Sequence, residues 1–570
     1  MGNVPRDIGS GLRERATGAI REREPMTITD TRPEQVEGVG AAAAAPTAAP
    51  VVPARGAAWL LSADHTRIGR MFVGVSLALA VAVLVVGTLV MAERIDTDGT
   101  FLPADAIDQM TSFLWIGLAF LVVVPLLLGI AIAVVPLQLG AQGIAYPRAA
   151  ALSFWGWLFS GGVMVVSYLA NGGPGGGDGQ AVDAFLVSFL LVLTALVIGA
   201  GCVGATVITR RAPGMGLLET PPFSFDALIS AGALLLTLPV LGGTVVLLFV
   251  DHHYGRVVFG GNAGIADQIR WAVIQPQTYV YGILVLGLMA ELSPVAARRR
   301  QPLRMTMIAA VGLAGAIAVG GAMQWMPTVD LDGVTPIQGL AQLVLYGITA
   351  LLPGLPFLLV LGLAGQAFRG ARPRLSGPFG FATAAALMGL VGAGVGVLTP
   401  IVDLELIGTV YQEAQSAYLF FAGLLAGMGA LAYWGPRLWG RRLPDKPVGG
   451  LAMLGFIGTI LAAFPYVIAG FLGQPLGASS WSELDGPILL CNVGVTIGFA
   501  LLAITVVAFA LLALRGFARG EPAGDDPWDA QTLEWAVAAP GAPGPDAPVV
   551  QSPEPWLDIK ESVSSQARAG

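Results

Sequence analysis

Histidine and cysteine, the side chains that most often bind transition metals, are scarce in this chain. The 570 residues include three histidines and two cysteines, namely His65, His252, His253, Cys202 and Cys491. Both cysteines lie inside apolar runs, so we expect neither a thiolate metal cluster nor a disulfide framework. The adjacent His252 and His253 could form a weak surface metal site, although a solvated loop is the simpler interpretation.

The composition is typical of an α-helical membrane protein with many spans. The hydrophobic fraction is 55%, the charged fraction is 12%, and the mean hydropathy is +0.73. A membrane β-barrel is excluded because its strands would give short alternating segments. The net charge of −7 gives no indication of nucleic-acid binding. The lipid bilayer is therefore the expected surrounding.

Apolar runs long enough to cross a membrane recur along the chain. A hydrocarbon core of about 30 Å needs roughly 20 helical residues. The sequence predicts twelve such runs, near 69–92, 112–136, 150–170, 184–208, 226–250, 269–290, 303–325, 337–363, 378–401, 408–434, 449–472 and 486–514. Arginines cluster before the first run and after every second run, whereas the alternate loops carry mainly acids. The positive-inside rule then places both termini, and His65, in the cytoplasm of a prokaryotic cell, with the spans in its plasma membrane.

Two polar tails flank the predicted membrane domain, which covers 59–520. Residues 1–58 interleave arginine and glutamate and then become rich in alanine and proline, which predicts a disordered cytoplasmic tail. Residues 521–570 form a Pro-rich cytoplasmic tail with three tryptophans. This second tail is too acidic to lie on a membrane surface, so we expect it to pack on the cytoplasmic loops.

Several segments, in order along 59–560, resemble subunit I of the haem-copper oxidases, the catalytic subunit of cytochrome c oxidase. They are SADHTRIG at 62–69, VPLQLGA at 135–141, RAPGM at 211–215, LPVLGG at 238–243 and DPWDAQTLEW at 526–535. The resemblance implies an all-α membrane fold of twelve helices in the oxidase arrangement. It also implies two haems and one copper, and electron transfer from cytochrome c to oxygen.

The ligand positions that the resemblance implies are all occupied by residues other than histidine. Alignment with the family's motifs places them at Leu114, Gln275, Gln324, Trp325, Gln415 and Ala417. A slip of one residue in the seventh helix would place Met323 and Gln324 there instead, again without a histidine. Leucine and alanine donate nothing to iron, and an amide oxygen is a poor substitute for imidazole at copper. We therefore expect no haem and no copper.

The residues that would carry protons in the family are replaced as well. The family's glutamate of the sixth helix corresponds to Gln277, and its cytoplasmic aspartate and asparagines correspond to Gly143, Ile132 and Ala150. Tyr279 matches the tyrosine that the family links covalently to a copper ligand. Without that histidine, we interpret Tyr279 as an ordinary hydrogen-bonded core tyrosine.

Glutamines at three former ligand positions must find polar partners inside the membrane. One interpretation is an amide network between helices, formed by Gln275, Gln324 and Gln415, with Gln412 and Glu413 beside it. The alternative is a polar cavity for a small ligand, water or a proton, in which Glu413 titrates. The former haem space should be filled by large side chains, the candidates being Trp115, Trp271, Trp325, Phe420 and Phe421. The glycine-rich segment 172–179 is interpreted as a flexible external loop.

The sequence thus favours a non-catalytic relative of oxidase subunit I, a pseudoenzyme with a structural or regulatory role in a respiratory membrane complex. Its partners would be subunit II- or III-like proteins or a genuine oxidase. A carrier or channel through the emptied core is the alternative. A working terminal oxidase with relocated ligands is less favoured, because three histidines cannot hold two haems and a copper.

Overall fold

The computed structural model describes residues 62–95, 102–274, 283–318, 327–330, 332, 334–476, 486–536, 550 and 552–561. Several of the predictions lie outside these residues. They are the disordered tail 1–58, the glutamines at 275, 277 and 324, and Tyr279, Met323 and Trp325.

The described residues form α-helices, with two strands of two residues each. The helices are α1 His65–Glu93, α2 Ala104–Gly117 continued by Val124–Gln138, α3 Pro147–Leu169, α4 Gly179–Thr209, α5 Pro222–His253, α6 Gly261–Ile274, α7 Ile283–Ala297, α8 Arg304–Ala318, α9 Pro336–Tyr346, α10 Gly354–Ala367, α11 Gly377–Leu398, α12 Val410–Trp439, α13 Asp445–Phe471 and α14 Pro487–Arg519. The strands are β1 Arg441–Arg442 and β2 Glu521–Pro522, which pair antiparallel.

Nine of the described helices are long and apolar enough to cross a membrane, and each coincides with one of the twelve predicted runs. A tenth run corresponds to α9 and α10, two helices bent by 46° relative to each other. The sixth and seventh runs overlap residues that the structure does not describe. Their described residues belong to the end of α6 and to α7 for the sixth run, and to α8 for the seventh. The chain is a multi-pass membrane protein, and the number twelve stays a prediction.

Prolines account for the two irregular helices. A π-helical turn, Leu118–Val123, joins the halves of α2, and the amide of Val124 donates to the carbonyl of Ala119, five residues back. Pro125 follows and has no N–H to continue the regular pattern, which favours this wider turn. A second π-helical turn, Gly347–Leu351, precedes Pro353 at the bend between α9 and α10.

The centre of the bundle is α12. Every residue from Val410 to Leu438 is buried, whereas helices at the periphery bury only one face. Thr409 caps the helix by accepting a hydrogen bond from the amide of Tyr411. This helix also carries the positions 413, 415 and 417 that the sequence singled out, so its neighbours define any site there.

The described residues of the tail, within 521–536 and 550–561, pack against one end of the bundle, which we call the tail end. The indole N–H of Trp528 donates to the carbonyl of Tyr433 at 2.9 Å, and the guanidinium of Arg442 lies 4.6 Å from the Trp528 ring centre. Arg300 pairs with three acids of the tail, Glu554, Asp558 and Glu561. Docking of this tail on the loops of the bundle, expected from its composition, is therefore seen.

Part of the glycine-rich segment 172–179 is packed rather than simply external, because residues 172–174 and 176 are buried, whereas 175 and 177–179 are exposed. A Cβ on Gly173 would overlap Tyr168 and Gln109, and one on Gly172 would overlap the backbone of Ala181. The amide group of Gln109 also donates to the carbonyl of Pro174 at 3.0 Å. These glycines are needed for close approach rather than for flexibility.

Close helix packing at Gly498 gives a direct test of this arrangement. A Cβ there would collide with the backbone of Ala462 on α13, so Gly498→Ala should lower the free energy of unfolding by about 1–3 kcal/mol. Gly394 lies inside α11 with no atom within 4 Å of the corresponding position. Gly394→Ala should leave stability unchanged or raise it slightly. Thermal unfolding in detergent measures both, and equal effects would contradict the packing of α13 on α14.

Candidate functional site

A buried ion pair lies at the end of the bundle opposite to the tail end. Arg94 follows the last residue of α1, and Glu413 lies in the first turn of α12. The Nη1 atom of Arg94 is 2.7 Å from Oε2 of Glu413, and Nη2 is 3.1 Å from Oε1. The two side chains are only 1% and 2% exposed. This two-pronged geometry is the strongest form of an arginine–carboxylate contact.

Further polar groups complete the shell around this pair. Nη1 of Arg94 also donates to the hydroxyl of Tyr466 at 2.7 Å. The amide of Asn492 donates to the carbonyl of Arg94 at 3.0 Å, and the amide of Gln474 donates to Oδ1 of Asn492 at 3.1 Å. We call these five residues the Arg94 network. Because they come from α1, α12, α13, the segment after α13 and α14, the network joins four helices at this end.

The Arg94 network changes the interpretation of the polar residues of α12. Glu413 is paired with Arg94. The side-chain oxygen of Gln412 accepts from the amide of Gly408 at 2.8 Å, and that of Gln415 accepts from the Thr399 hydroxyl at 3.5 Å. An amide network that includes Gln275 and Gln324 stays a prediction, since both lie outside the described residues.

The two positions that the sequence predicts as former low-spin haem ligands are both buried. Leu114 and Ala417 are 0% and 1% exposed. A Cβ on Gly87 would stand 2.8 Å from Cδ1 of Leu114 and equally close to Cδ1 of Phe499. The side chains of Leu114 and Phe499 therefore both contact the backbone of α1 at Gly87, where no space is left even for a methyl group.

Three of the side chains that the sequence proposed as fillers of the haem space, Trp115, Phe420 and Phe421, are buried and make aromatic contacts. The rings of Trp115 and Phe420 lie 6.5 Å apart, and Phe421 meets Phe499 edge to face at 5.3 Å. Trp271 is buried as well. Trp325, the remaining candidate, lies outside the described residues.

These residues do not fit a haem with two axial ligands. Neither Leu114 nor Ala417 has an atom that can bind iron, and Leu114 is held against Gly87 by Phe499. The histidines lie elsewhere, His65 at the start of α1 and the other two at the end of α5. No step of a reaction can therefore be built on a haem at these two positions.

The three positions that the sequence assigns to the family's proton-carrying residues differ in their surroundings. Ile132 and Ala150 are both 0% exposed. A Cβ on Gly143 would stand 3.7 Å from Nδ1 of His65, and His65 is itself buried. Sequence reasoning missed this proximity, because 78 residues separate the two positions.

His252 and His253 occupy the last turn of α5, so they do not lie in a loop, although His253 is exposed to solvent. The Nδ1 atom of each ring lies 2.8 Å from a different oxygen of Asp183. Within the part of the chain that the structure describes, no three histidine, cysteine or acidic side chains are grouped for metal binding. Asp183 thus accounts for both histidines as a polar contact between α4 and α5.

A second buried carboxyl group lies at the tail end. Oε1 of Glu534 accepts from the indole N–H of Trp434 and from the amide of Gln138, both at 3.1 Å. The side-chain oxygen of Gln138 accepts from the Ser224 hydroxyl at 2.6 Å. Burial raises the pKa of the Glu534 carboxyl above its ordinary value, although its hydrogen bonds oppose that shift. Glu291, also buried, interacts with it electrostatically.

Comparison with known proteins identifies relatives over most of the chain. The family model described as cytochrome c and quinol oxidase polypeptide I matches residues 67–509. Cytochrome c oxidase subunit 1 of Bacillus subtilis is 27% identical over 504 residues, which are 85% of this chain and 79% of that protein. The protein of the same name from Thermostichus vulcanus is 27% identical over 84% of this chain and 88% of its own length. A haem-copper oxidase subunit I+III of Aeropyrum pernix is 27% identical over 85% of this chain and 60% of its own length.

Removing one charge of the Arg94–Glu413 pair should lower the free energy of unfolding more than removing both charges. Arg94→Met or Glu413→Leu leaves one charge buried without its partner, so each should lower the free energy of unfolding by about 3–5 kcal/mol. The double variant should be more stable than either single variant. Unfolding in detergent measures all three.

Arg67→Met is the matched control for this cycle. It breaks the exposed pair with Asp64, in which the side chains are 44% and 41% exposed, and should change stability by less than about 1 kcal/mol. Strictly additive losses in the double variant would show that Arg94 and Glu413 do not stabilise each other.

The pH dependence of stability tests the environment of Glu534. With a folded pKa above the ordinary value of 4.5, this carboxyl holds its proton more firmly in the folded state. The free energy of unfolding should therefore fall as the pH rises from that value through the raised pKa. Glu534→Gln should flatten this slope, whereas Glu521→Gln, at an exposed site of the same tail, should leave it unchanged. Unfolding midpoints between pH 5 and pH 8 give both slopes, and a steeper slope for Glu534→Gln would contradict the argument.

Proposed function

We propose that this chain, which belongs to the haem-copper oxidase subunit I family, is a non-catalytic member that holds neither haem nor copper. Its role would be structural or regulatory, within a respiratory membrane complex. In this proposal the oxidase arrangement of helices is retained, while the residues that carry electrons and protons are lost.

The main support is the count and placement of histidines. Six histidine positions in the family hold the two haems and the copper, but the whole chain contains only three histidines. One of them begins α1, and the other two end α5 in contact with Asp183. Even a relocated ligand set would therefore be too small for the three metal centres.

Packing around the former low-spin haem supports the same proposal. A leucine at position 114 closes on Gly87 together with Phe499, and Ala417 is buried with no donor atom. An empty haem slot would be costly, because unfilled volume destabilises a folded interior by about 24 cal/mol per Å³. Filling the space with hydrocarbon is what a protein without this haem requires.

The membrane topology that we propose has twelve spans with both termini in the cytoplasm and the helices in the plasma membrane. Positive residues near the tail end support this orientation. Arg299, Arg374 and Arg442 each contact the docked tail or lie against its tryptophans. By the positive-inside rule, an end that concentrates such arginines faces the cytoplasm.

For partners, we propose subunit II- or III-like proteins or a genuine oxidase. The relative from Aeropyrum pernix is called subunit I+III, a single name that covers both subunits. A separate subunit III-like protein beside this chain would be the equivalent association. The apolar residues that α3 exposes, among them Phe159 at 67% and Leu169 at 83%, provide a surface for a partner or for lipid.

Haem and metal analysis tests the proposal directly. The purified chain, expressed with an intact haem supply, should contain far less than one haem and one copper per molecule and should show no Soret band. Gln415→His should not restore oxygen reduction, because the ligands work as a set and the other five positions still lack histidine. Cytochrome c oxidase subunit 1 of Bacillus subtilis, expressed in the same host, is the positive control. About one haem per chain in the wild-type protein would overturn the proposal, whether or not oxygen is reduced.

A further inference from the structure

A groove of about 750 Å³ lies on the surface between α3 and α4, with the last turn of α5 at its mouth. Exposed apolar side chains form its rim, among them Phe159 at 67% and Leu191 at 52%. At its floor the two helices approach closely, because a Cβ on Gly156 would stand 3.4 Å from Cβ of Ala195. The described residues that line the groove belong to α3, α4 and α5, so it lies apart from the former haem positions on α2 and α12.

The few hydroxyl groups along this groove are already hydrogen-bonded. Those of Ser160, Ser188 and Thr194 donate to carbonyls in the preceding turn of their own helices, at 2.6, 2.9 and 2.8 Å. Between these residues the walls are aliphatic or aromatic. A polar occupant would find no partner along the length of the groove, whereas a hydrocarbon chain needs none.

The size of the groove suits an acyl chain better than a helix of a partner protein. On α4 the lining residues run from Asp183 to Ile198, which is about 22 Å at 1.5 Å per residue. An acyl chain that crosses one leaflet needs about 15 Å, half of the hydrocarbon core. A helix 10 Å wide and of the same length as the groove would occupy about 1,700 Å³, more than twice the volume available.

The mouth of the groove offers accessible hydrogen-bond acceptors. Asp183 and His253 both line it, and their side chains are 25% and 48% exposed. The Asp183 carboxylate accepts from Nδ1 of His252 and of His253, which leaves two of its four lone pairs for a ligand. Since Nδ1–H of His253 donates to Asp183, Nε2 of the neutral ring is a further acceptor.

The positive groups near the mouth are already engaged. Two amides in the first turn of α4, which could otherwise attract a phosphate, donate to Asp178 at 3.0 Å. The guanidinium of Arg256 lies 5.9 Å from the ring centre of Tyr254 and does not line the groove. An anionic head group would therefore be repelled by Asp183, whereas an ammonium head group has the opposite charge and brings N–H donors.

From these contacts we infer that the groove binds a phosphatidylethanolamine molecule. One acyl chain lies between α3 and α4, and the ammonium group donates to Asp183 and to Nε2 of His253 at the mouth. This site goes beyond the proposed loss of haem and copper, and its test does not depend on the haem assay.

The experiment uses the full chain in phosphatidylcholine nanodiscs that contain a small fraction of a photoreactive phospholipid. Three probes carry the same diazirine in the same acyl chain and differ only in the head group, which is phosphatidylethanolamine, phosphatidylcholine or phosphatidylglycerol. Mass spectrometry maps the labels, and those on the exposed apolar residues of α14 correct for chance contacts with lipid. Relative to α14, the phosphatidylethanolamine probe should label α3 and α4 about fivefold more than either other probe, as expected for a charge-assisted hydrogen bond at an exposed site. Phosphatidylcholine has the same net charge but no N–H, and phosphatidylglycerol is anionic.

Variants separate head-group recognition from the space in the groove. Asp183→Asn keeps the shape of the side chain but removes its charge, so the preference for phosphatidylethanolamine should disappear. Asp178→Asn is the matched control, because it removes an acid from the same end of α4, does not line the groove and retains a residue that caps helices well. Ala184 is a half-buried lining residue next to Asp183. Ala184→Trp should fill the mouth and reduce labelling of α3 and α4 to the level of α14, whereas Ala184→Ser should not.

Four results would each overturn the inference. Equal labelling of α3 and α4 by the three probes, or stronger labelling by phosphatidylglycerol, would show that an ammonium group is not recognised. An unchanged preference in Asp183→Asn would place the head group elsewhere. Labelling that persists in Ala184→Trp would show that the chain does not lie in the groove. Labels on α3 and α4 no stronger than those on α14, with every probe, would leave this face to a partner helix.

Discussion

The pairing of Arg94 with Glu413 is the interaction on which the arrangement of the central helices depends. Polar groups away from water must be satisfied within the protein, and a buried charge without a partner is strongly destabilising. Glu413 begins the fully buried α12, and Arg94 ends α1. Their contact therefore fixes where these two helices meet, and Tyr466 and Asn492 extend the same constraint to α13 and α14.

The tail end follows the same physical rule with a different set of groups. Glu534 reaches α12 through Trp434 and reaches α2 through Gln138. Between these two polar ends, α12 is packed almost entirely by hydrocarbon and aromatic side chains. The central helix is thus held by specific hydrogen bonds at its two ends and by shape complementarity along its middle.

Hydropathy predicted the helices well because a span needs only a run of apolar residues, which is a local property of the sequence. It could not reveal the partner of Glu413, because 319 residues separate Arg94 from Glu413. One signal was present: Arg94 is a cation that directly follows an apolar run, at an end where the other loops carry mainly acids. A buried arginine at such a position needs a counter-ion, and a buried carboxylate is the expected one.

The glycine-rich segment shows a second limit of sequence reasoning. Composition alone favours a flexible loop, yet Gly172 and Gly173 are required because Ala181 and Tyr168 leave no space for a Cβ. Flexibility and close approach select the same residue for opposite reasons, and only the neighbours distinguish them. Those neighbours come from three different helices, so no local pattern could have indicated the packing.

The position of the polar contacts also explains how ligand residues could be lost without loss of the fold. If metals had to hold the helices together, a leucine at 114 or an alanine at 417 in place of a ligand histidine would leave the bundle without its central contacts. Here the contacts that fix α12 lie at its ends, in the Arg94 network and at Glu534, and the middle requires only volume. Leucine, alanine and phenylalanine supply that volume. A haem-free member of this family is therefore consistent with the forces that hold this bundle together.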